Sequence, residues 1–216
     1  MKTIAIKGKG KLSLEPDLIQ LNLDLDYSNL DYDKTLMGIE ESNKQLKDSI
    51  ESLSFNRSDI KTTKFNIDAV YKWVKYKEFG ETQQKRVFDG YLGEHNLTFS
   101  FDYDMGKLSK ILNSIISLKN PPEFHISYSV KDKEGAKEKL LLEATKDARR
   151  KAEILTTASN VTLGDLINIT YSWTNINFTR NADYFEEMSC KSIGSLDITP
   201  EDIKMEDEVE FIWEIK

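Results

Sequence analysis

Leu18-Ile-Gln-Leu-Asn-Leu-Asp-Leu-Asp-Tyr27 is the stretch of sequence that decides the fold. From residue 19 onward its odd-numbered positions are apolar or aromatic, whereas the even-numbered positions carry Gln, Asn, Asp and Asp. Side chains on a strand alternate between its two faces, so this pattern predicts a strand with one buried and one hydrated face. Leucine at every second position would be spread around all sides of a helix, which excludes the helical alternative.

The same periodicities, followed along the rest of the chain, predict further strands and three helices. Strands are expected at about 3–14, 64–74, 88–103, 124–130, 161–173 and 208–215. Helices are expected from a cap at Asp31 or Asp33 to about Leu53, at about 104–118 and at about 133–159. The segment from Lys75 to Arg86 is polar, charged and contains Gly80, which predicts a hairpin loop with long arms.

The third predicted helix carries small residues at every fourth position. Ala136, Ala144, Ala148 and Ala152 follow this spacing, with Leu140 among them. Small residues along one stripe allow a helix to lie close on a sheet. Gly8-x-Gly10 is too short for a phosphate-binding loop, and no helix follows it, so its glycines are expected at a bulge or at a tight approach between strands.

The order of the predicted elements indicates the fold class. Amphipathic helices between alternating strands predict an α+β fold with antiparallel sheets covered by the helices. A strand, helix, strand, strand unit occurs twice, at 18–103 and at 124–215. We therefore expect a single domain over residues 1–216, or two packed lobes at about 1–103 and 104–216.

Composition excludes several classes of protein. The 216 residues carry a net charge of -7, one cysteine and two histidines. One cysteine forms no intrachain disulfide, and so few histidines and cysteines exclude a zinc finger or a histidine-rich metal centre. The acidic balance argues against a general nucleic-acid-binding protein. Neither a signal peptide nor a run of about 20 apolar residues is present, so the sequence as it stands predicts a cytoplasmic protein without a membrane span.

Three residues are candidates for a hydrolase-like site: Asp17, Glu94 and His95. They would serve catalysis if the fold gathered them in one cleft and shifted their pKa values. The competing interpretation of Asp17, which follows Pro16, is a turn residue whose carboxylate binds backbone amides. Cys190 has no second thiol to resolve it and is expected to be inert or incidentally oxidised.

A basic cluster on the third predicted helix has two interpretations. It comprises Lys146, Arg149, Arg150 and Lys151. Such a cluster would suit a phosphate or an acidic partner. Carboxylates stand at helical spacing from it, so a hydrated face of ion pairs is favoured.

A long predicted loop, from about Ser172 to Asp202, holds the candidate interaction surface. Loops beyond about 12–15 residues are uncommon in compact domains unless they are functional or disordered. The candidate residues are Trp173, Phe178, Tyr184, Phe185 and Met188. Aromatic residues here predict either a contact surface between subunits or a segment that folds back onto the core.

Several short motifs occur in a recognisable order along the chain. They are Gly8-x-Gly10 with Pro16-Asp17, Ser58-Asp59-Ile60 leading through Thr62 to Ile67 and Tyr71, Gly90-Tyr91, Ala144-x-x-x-Ala148-x-x-Lys151-Ala152-Glu153 with Leu163-Gly164, and Ile198-Thr199-Pro200. With this order and spacing the chain, from about Ile4 to Ile215, resembles the SIMPL-domain family of periplasmic immunogenic and oxidative-stress-defence proteins.

The resemblance implies an α+β fold, a tendency to self-assemble, no known catalytic residues, no cofactor and a link to stress protection. Family members are typically exported, and the missing signal peptide is a departure from that pattern. Our first hypothesis is therefore a non-enzymatic protein that forms a homo-oligomer or binds a partner. The alternatives are a cryptic hydrolase-like enzyme and an adaptor that binds peptides along an exposed strand edge.

Overall fold

A computed structural model describes residues 2–79, 81–172, 176–181 and 199–216. The described chain forms eight strands and three α-helices, and the predicted α+β class is confirmed. In chain order they are β1 (Lys2–Leu14), β2 (Leu18–Asn29), α1 (Tyr32–Ser52), β3 (Lys61–Glu78), β4 (Glu81–Asp102), α2 (Met105–Ile116), β5 (Glu123–Ser129), α3 (Lys133–Ala158), β6 (Leu163–Thr170), β7 (Thr179–Asn181) and β8 (Ile203–Ile215). The chain divides into two compact units.

One unit comprises Leu18–Ser127 and Asn181–Thr199 and is built on the predicted strand β2. In its sheet the strands β3, β4, β2 and β5 lie side by side in that order, with β2 and β3 both antiparallel to β4. Leu21, Leu23 and Leu25 of β2 are buried and lie opposite buried residues of β4, as in the pair Leu21 and Phe99. Helix α1 packs on β2 and β4, and α2 packs beside α1. Apolar and polar residues alternate along β2 for the predicted reason, because one face of the strand is covered by a helix and the other face is hydrated.

Capping side chains set where the helices of this unit begin. The Asp31 carboxylate accepts a hydrogen bond of 3.1 Å from the backbone N–H of Lys34, and Asp104 accepts one of 2.9 Å from that of Lys107. Each bond satisfies an amide that has no partner within its own helix. Of the two predicted caps for α1, Asp31 is the one observed.

The hairpin of β3 and β4 is longer than the alternation predicted. Residues 75–86 were expected to form a loop, but β3 continues to Glu78 and β4 begins at Glu81. The two strands stay paired here because their polar side chains contact each other across the hairpin. The Lys85 ammonium lies 5.4 Å from the centre of the Tyr76 ring, and Tyr76 donates a hydrogen bond of 3.1 Å to Gln83. The loop prediction was wrong because charged side chains in a two-stranded ribbon have no buried face to reveal the strand.

The other unit comprises Met1–Asp17, Tyr128–Arg180 and Pro200–Lys216. Its three-stranded sheet has the order β1-β8-β6, and α3 lies on β1 and β8. The predicted alanine stripe of α3 is fully buried against this sheet. A Cβ atom added at Gly8 would lie 2.0 Å from the Ala144 carbonyl oxygen, and one added at Gly10 would lie 2.0 Å from that of Leu140. The two glycines thus serve a close approach of helix to strand, whereas the sequence predicted a bulge or a strand-to-strand approach.

The predicted loop at 172–202 is partly strand. Residues Thr179–Asn181 form β7, and the last strand begins at Ile203, about five residues before the predicted start. Residues 173–175 and 182–198 lie outside the described residues.

Candidate interaction surface

Part of the β3–β4 hairpin extends beyond the pairing with β2, and we call residues 70–90 the arm. Strand β2 pairs with β4 only from Tyr91 to Asp102, whereas β3 pairs with β4 along its whole length. The register between the strands shifts after Val70, and Gly90 opposite it has a φ of 120°, a conformation that glycine adopts without steric cost. The glycine and the shift mark the point where the arm leaves the sheet.

Aromatic rings form a continuous row along one face of the arm, which we call the aromatic ladder. Tyr71 contacts Phe88 edge to face at 5.8 Å, Phe88 contacts Tyr91 at 5.3 Å, and Tyr91 contacts Tyr32 at the start of α1 at 5.4 Å. The Arg86 guanidinium lies 4.2 Å from the centre of the Tyr71 ring. Edge-to-face pairs and cation–π contacts each contribute about 0.5–1.5 kcal/mol, so the ladder stiffens a ribbon that no helix or sheet of the described residues covers.

The outer end of the arm is exposed. Trp73 is 68% exposed and Phe79, at the turn, is 98% exposed. Isolated two-stranded ribbons are marginally stable in water, and clusters of large exposed apolar side chains mark interaction sites. The arm is also cationic, with five Lys and Arg residues against three carboxylates. Its chemistry suits a partner surface that is apolar and acidic.

A second exposed apolar feature lies within the other unit, between α3 and strand β6. It is an apolar groove of about 430 Å³, lined by Leu141, Thr145, Arg149, Leu166, Ile169, Tyr171, Val209, Phe211 and Trp213. Strand β6 is an edge strand among the described residues, and Leu166, Ile167 and Ile169 on it are exposed. The Phe211 and Trp213 rings stack at 5.4 Å on the floor of the groove. The groove thus combines an unpaired strand edge with an apolar depression.

Two of the three candidate catalytic residues, Glu94 and His95, do not form a common site. Glu94 and His95 are neighbours in β4 and therefore point to opposite faces of the sheet. Glu94 pairs with Lys64 at 2.8 Å, whereas His95 is buried, lies 2.9 Å from the Thr62 hydroxyl and contacts the Phe65 ring. Burial, with a smaller contribution from the positive charge of Lys47, lowers the pKa of His95. His95 is thus a neutral core residue at physiological pH.

Asp17 belongs to the other unit and has the structural role that its turn suggested. Its carboxylate accepts a hydrogen bond of 2.8 Å from the backbone N–H of Lys131, and its own N–H donates to the Ser129 carbonyl oxygen at 3.1 Å. Both bonds fix a chain reversal. The carboxylate therefore has the structural role of the competing interpretation, a turn residue bonded to a backbone amide.

One comparison with known proteins identifies the family. The family model described as "SIMPL: Protein of unknown function (DUF541)" matches residues 4–213, nearly the whole chain. The chain belongs to the SIMPL family. No curated protein matches the sequence. The match confirms the resemblance that the ordered motifs indicated.

The predicted interaction residues of this SIMPL chain are mostly undescribed. Trp173, Tyr184, Phe185 and Met188 lie outside the described residues, as does Cys190. Phe178 is buried in a cluster with Val130, Ile203 and Met205, and its carbonyl oxygen accepts a hydrogen bond of 2.9 Å from the Ser129 hydroxyl. Phe178 therefore packs in the core of its unit. The aromatic ladder was missed because its rings were assigned to separate predicted elements, Tyr71 before the predicted loop at 75–86 and Phe88 and Tyr91 after it.

The SIMPL domain has a cluster of carboxylates on the hydrated face of the β2–β4 sheet. Asp26 lies directly opposite Glu94, and partial burial, then the charges of Glu94, Glu123 and Asp24, raises the pKa of Asp26. Among the described residues no group of three or more His, Cys, Asp or Glu is arranged to hold a metal ion. The described helices include none that is long and apolar enough to cross a membrane.

The basic cluster on α3 forms ion pairs at helical spacing, as the favoured interpretation held. Lys146 pairs with Glu143, Arg149 with Glu153, and Arg150 and Lys151 with Asp147, at 2.6–3.0 Å. Asp147 also accepts a hydrogen bond of 2.9 Å from the backbone N–H of Lys9. The hydrogen bond from Lys151, then that from Lys9, holds the pKa of Asp147 well below its usual range. Asp147 thus ties strand β1 to helix α3.

We expect Asp147→Asn to lower the free energy of unfolding by about 1–3 kcal/mol at pH 7, because a carboxylate bonded to a backbone amide and two cations is lost. The folded-state pKa is depressed, so the stabilisation is fully present above the unfolded pKa of about 3.9 and declines as pH falls below it. Urea unfolding at pH values from 7 to 2.5 measures the difference in the free energy of unfolding between the wild type and the variant. Glu153→Gln, which removes an exposed pair, is the control and should change little. A gap that stays constant down to pH 2.5 would contradict the role of the Asp147 charge.

Proposed function

We propose that this SIMPL-domain protein is a non-enzymatic assembly protein whose arm packs against a second copy of the chain. The observation that carries the proposal is the exposed aromatic ladder on a ribbon that projects past its sheet. A monomer exposes such a surface at a cost in solubility, whereas a partner would bury Trp73 and Phe79 in an interface core. Tryptophan and tyrosine are also the residues that most often dominate interface energies.

Two properties of the arm support assembly over catalysis. It contains no serine, cysteine or histidine that could act as a nucleophile or a base, and Glu94 and His95 lie on opposite faces of their sheet. The arm is also braced by its own ring contacts, so it is rigid before binding and loses little conformational freedom when a partner covers it. In this proposal the assembled form, and not a single copy of the chain, would serve stress protection.

We expect the wild-type protein to have a mass above that of the 24.9 kDa chain by size exclusion with light scattering at tens of micromolar. The double variant Trp73→Thr with Phe79→Asn should shift to the monomer mass, because it removes the exposed apolar end of the arm. Threonine favours strands, and asparagine tolerates the positive φ of Phe79, which is 50°. The ribbon itself is therefore retained.

Met37→Gln is the matched control for this experiment. Met37 is 67% exposed, as exposed as Trp73, but it lies on α1 and not in the arm. Its replacement should leave the oligomer intact. A wild-type protein that is strictly monomeric across this concentration range would refute the proposal.

The apolar groove beside β6 favours one other candidate function, an adaptor that binds an extended peptide. An unpaired strand edge supplies backbone hydrogen bonds, and an apolar groove next to it supplies side-chain specificity. An adaptor would bind peptides as a monomer, so light scattering of the wild-type protein without added ligand separates the two functions.

A further inference from the structure

We infer that the groove between α3 and β6 is the receptor for the arm of a second copy, so that copies join head to tail. This inference rests on the proposed function and adds the partner surface to it. The arm of one chain would lie along the free edge of β6 in the next, with Trp73 of that arm in the groove. An interface between two different surfaces differs from an isologous one, in which two arms would pack on each other.

The apolar chemistry of the two surfaces is complementary. The groove has a volume of about 430 Å³ and a floor of stacked Phe211 and Trp213 rings, with Leu166 and Ile169 at its β6 side. Trp73 is the most exposed aromatic residue within the strands of the arm, and its large flat ring gains stabilisation from desolvation and from aromatic contacts of this kind. The apolar groove would thus take the exposed indole of Trp73.

The charges of the two strand edges are also complementary. Within the arm, β3, the edge strand of its sheet, carries three lysines, Lys72, Lys75 and Lys77, and one carboxylate, Glu78. Strand β6 carries Asp165 and no cation, and its neighbour β8 adds Glu210 and Glu214. Lysines on an edge strand oppose pairing with a like strand, so two β3 edges would repel each other. The same lysines favour pairing with an acidic edge such as β6.

A groove variant with a matched control tests the receptor side. Leu166→Lys places a charge in the groove wall, whereas Ile167→Lys changes a neighbour in the same strand that is exposed to a similar extent and does not line the groove. We expect Leu166→Lys to weaken association by about tenfold or more and Ile167→Lys to leave it near the wild-type value. Ile169→Lys, also in the groove wall, should repeat the effect of Leu166→Lys. Circular dichroism melts of each variant confirm that it is folded.

Mixing two defective proteins provides the decisive experiment. The arm variant Trp73→Thr/Phe79→Asn retains its groove, and Leu166→Lys retains its arm, so each should be monomeric alone. Mixed in equal amounts, they should form a one-to-one dimer that grows no further, because only one productive contact remains. Absence of a dimer from the mixture, or a Leu166→Lys protein that assembles like the wild type, would overturn the head-to-tail inference and leave arm-mediated assembly standing. A monomeric wild-type protein would instead overturn the proposed function itself.

Discussion

Gly8→Ala and Gly10→Ala should each lower the free energy of unfolding by about 3 kcal/mol or more, a large share of the 5–15 kcal/mol that stabilises an ordinary domain. The reason is steric. A methyl group at either position would lie 2.0 Å from a backbone carbonyl oxygen of α3, and at Gly8 it would also lie 2.7 Å from the Ala148 Cβ. Backbone atoms cannot rotate away as a flexible side chain can, so the whole helix would have to move off β1.

Displacement of α3 would affect more than one contact. The helix covers β1 and β8 through a stripe that is fully buried, and Asp147 bonds the Lys9 amide between the two glycines. A shift of the helix would open voids along the stripe and lengthen that hydrogen bond. We therefore expect the double variant to be unfolded at room temperature.

Gly106→Ala is the control for the glycine substitutions. Gly106 is exposed in α2, and an added Cβ would meet only the Asp104 carboxylate, at 3.2 Å. Alanine is the better helix former by about 1 kcal/mol, so this change should be neutral or slightly stabilising. Urea unfolding followed by circular dichroism measures all three variants. Equal stability for Gly8→Ala, Gly10→Ala and Gly106→Ala would show that β1 and α3 are not in close contact.

The glycines illustrate what the sequence reveals and what it does not. The alanine repeat of α3 predicted that the helix lies close on a sheet, because only small residues permit that distance. The sequence did not reveal which strand faces the stripe. The facing strand is β1, more than 100 residues earlier in the chain than α3. Strand β1 in turn pairs with β8, which lies still farther from it in the sequence. Periodicity is a local property, whereas the choice of partner strand is set by long-range packing.

The arm shows that hydrophobic periodicity does not reveal a strand without a buried face. Strands β2 and β8 were readable because one face of each is buried, which forces alternation. The arm has no buried face, so charged and aromatic residues occur on both sides and the period of two disappears. A different signal was present: tyrosine, tryptophan and phenylalanine recur at a density unusual for a loop. Aromatic density in a polar segment would have been the better indicator of this strand.

The second large effect concerns Phe99, and we expect Phe99→Ala to lower the free energy of unfolding by about 3–5 kcal/mol. Phe99 is 1% exposed on the helix-covered face of β4. Its ring contacts Phe55 edge to face at 5.0 Å and Phe101 at 5.4 Å. Removal of the ring leaves a cavity among side chains that belong to different elements and cannot all collapse into it. Urea unfolding gives the change directly.

Phe88→Ala is the informative comparison, because Phe88 lies in the same strand, makes two ring contacts and is 41% exposed. We expect this change to cost less than about 1 kcal/mol in global stability, since the arm can loosen while the helix-covered sheet stays folded. It should nevertheless weaken self-association, because the ladder that holds Tyr71 and the neighbouring Trp73 in place is interrupted. Phe99→Ala should instead lower global stability strongly and leave self-association unchanged, when it is measured at temperatures where this variant remains folded. If Phe88→Ala destabilised the fold as much as Phe99→Ala, the aromatic ladder would be part of the core and its exposure would no longer support an interface.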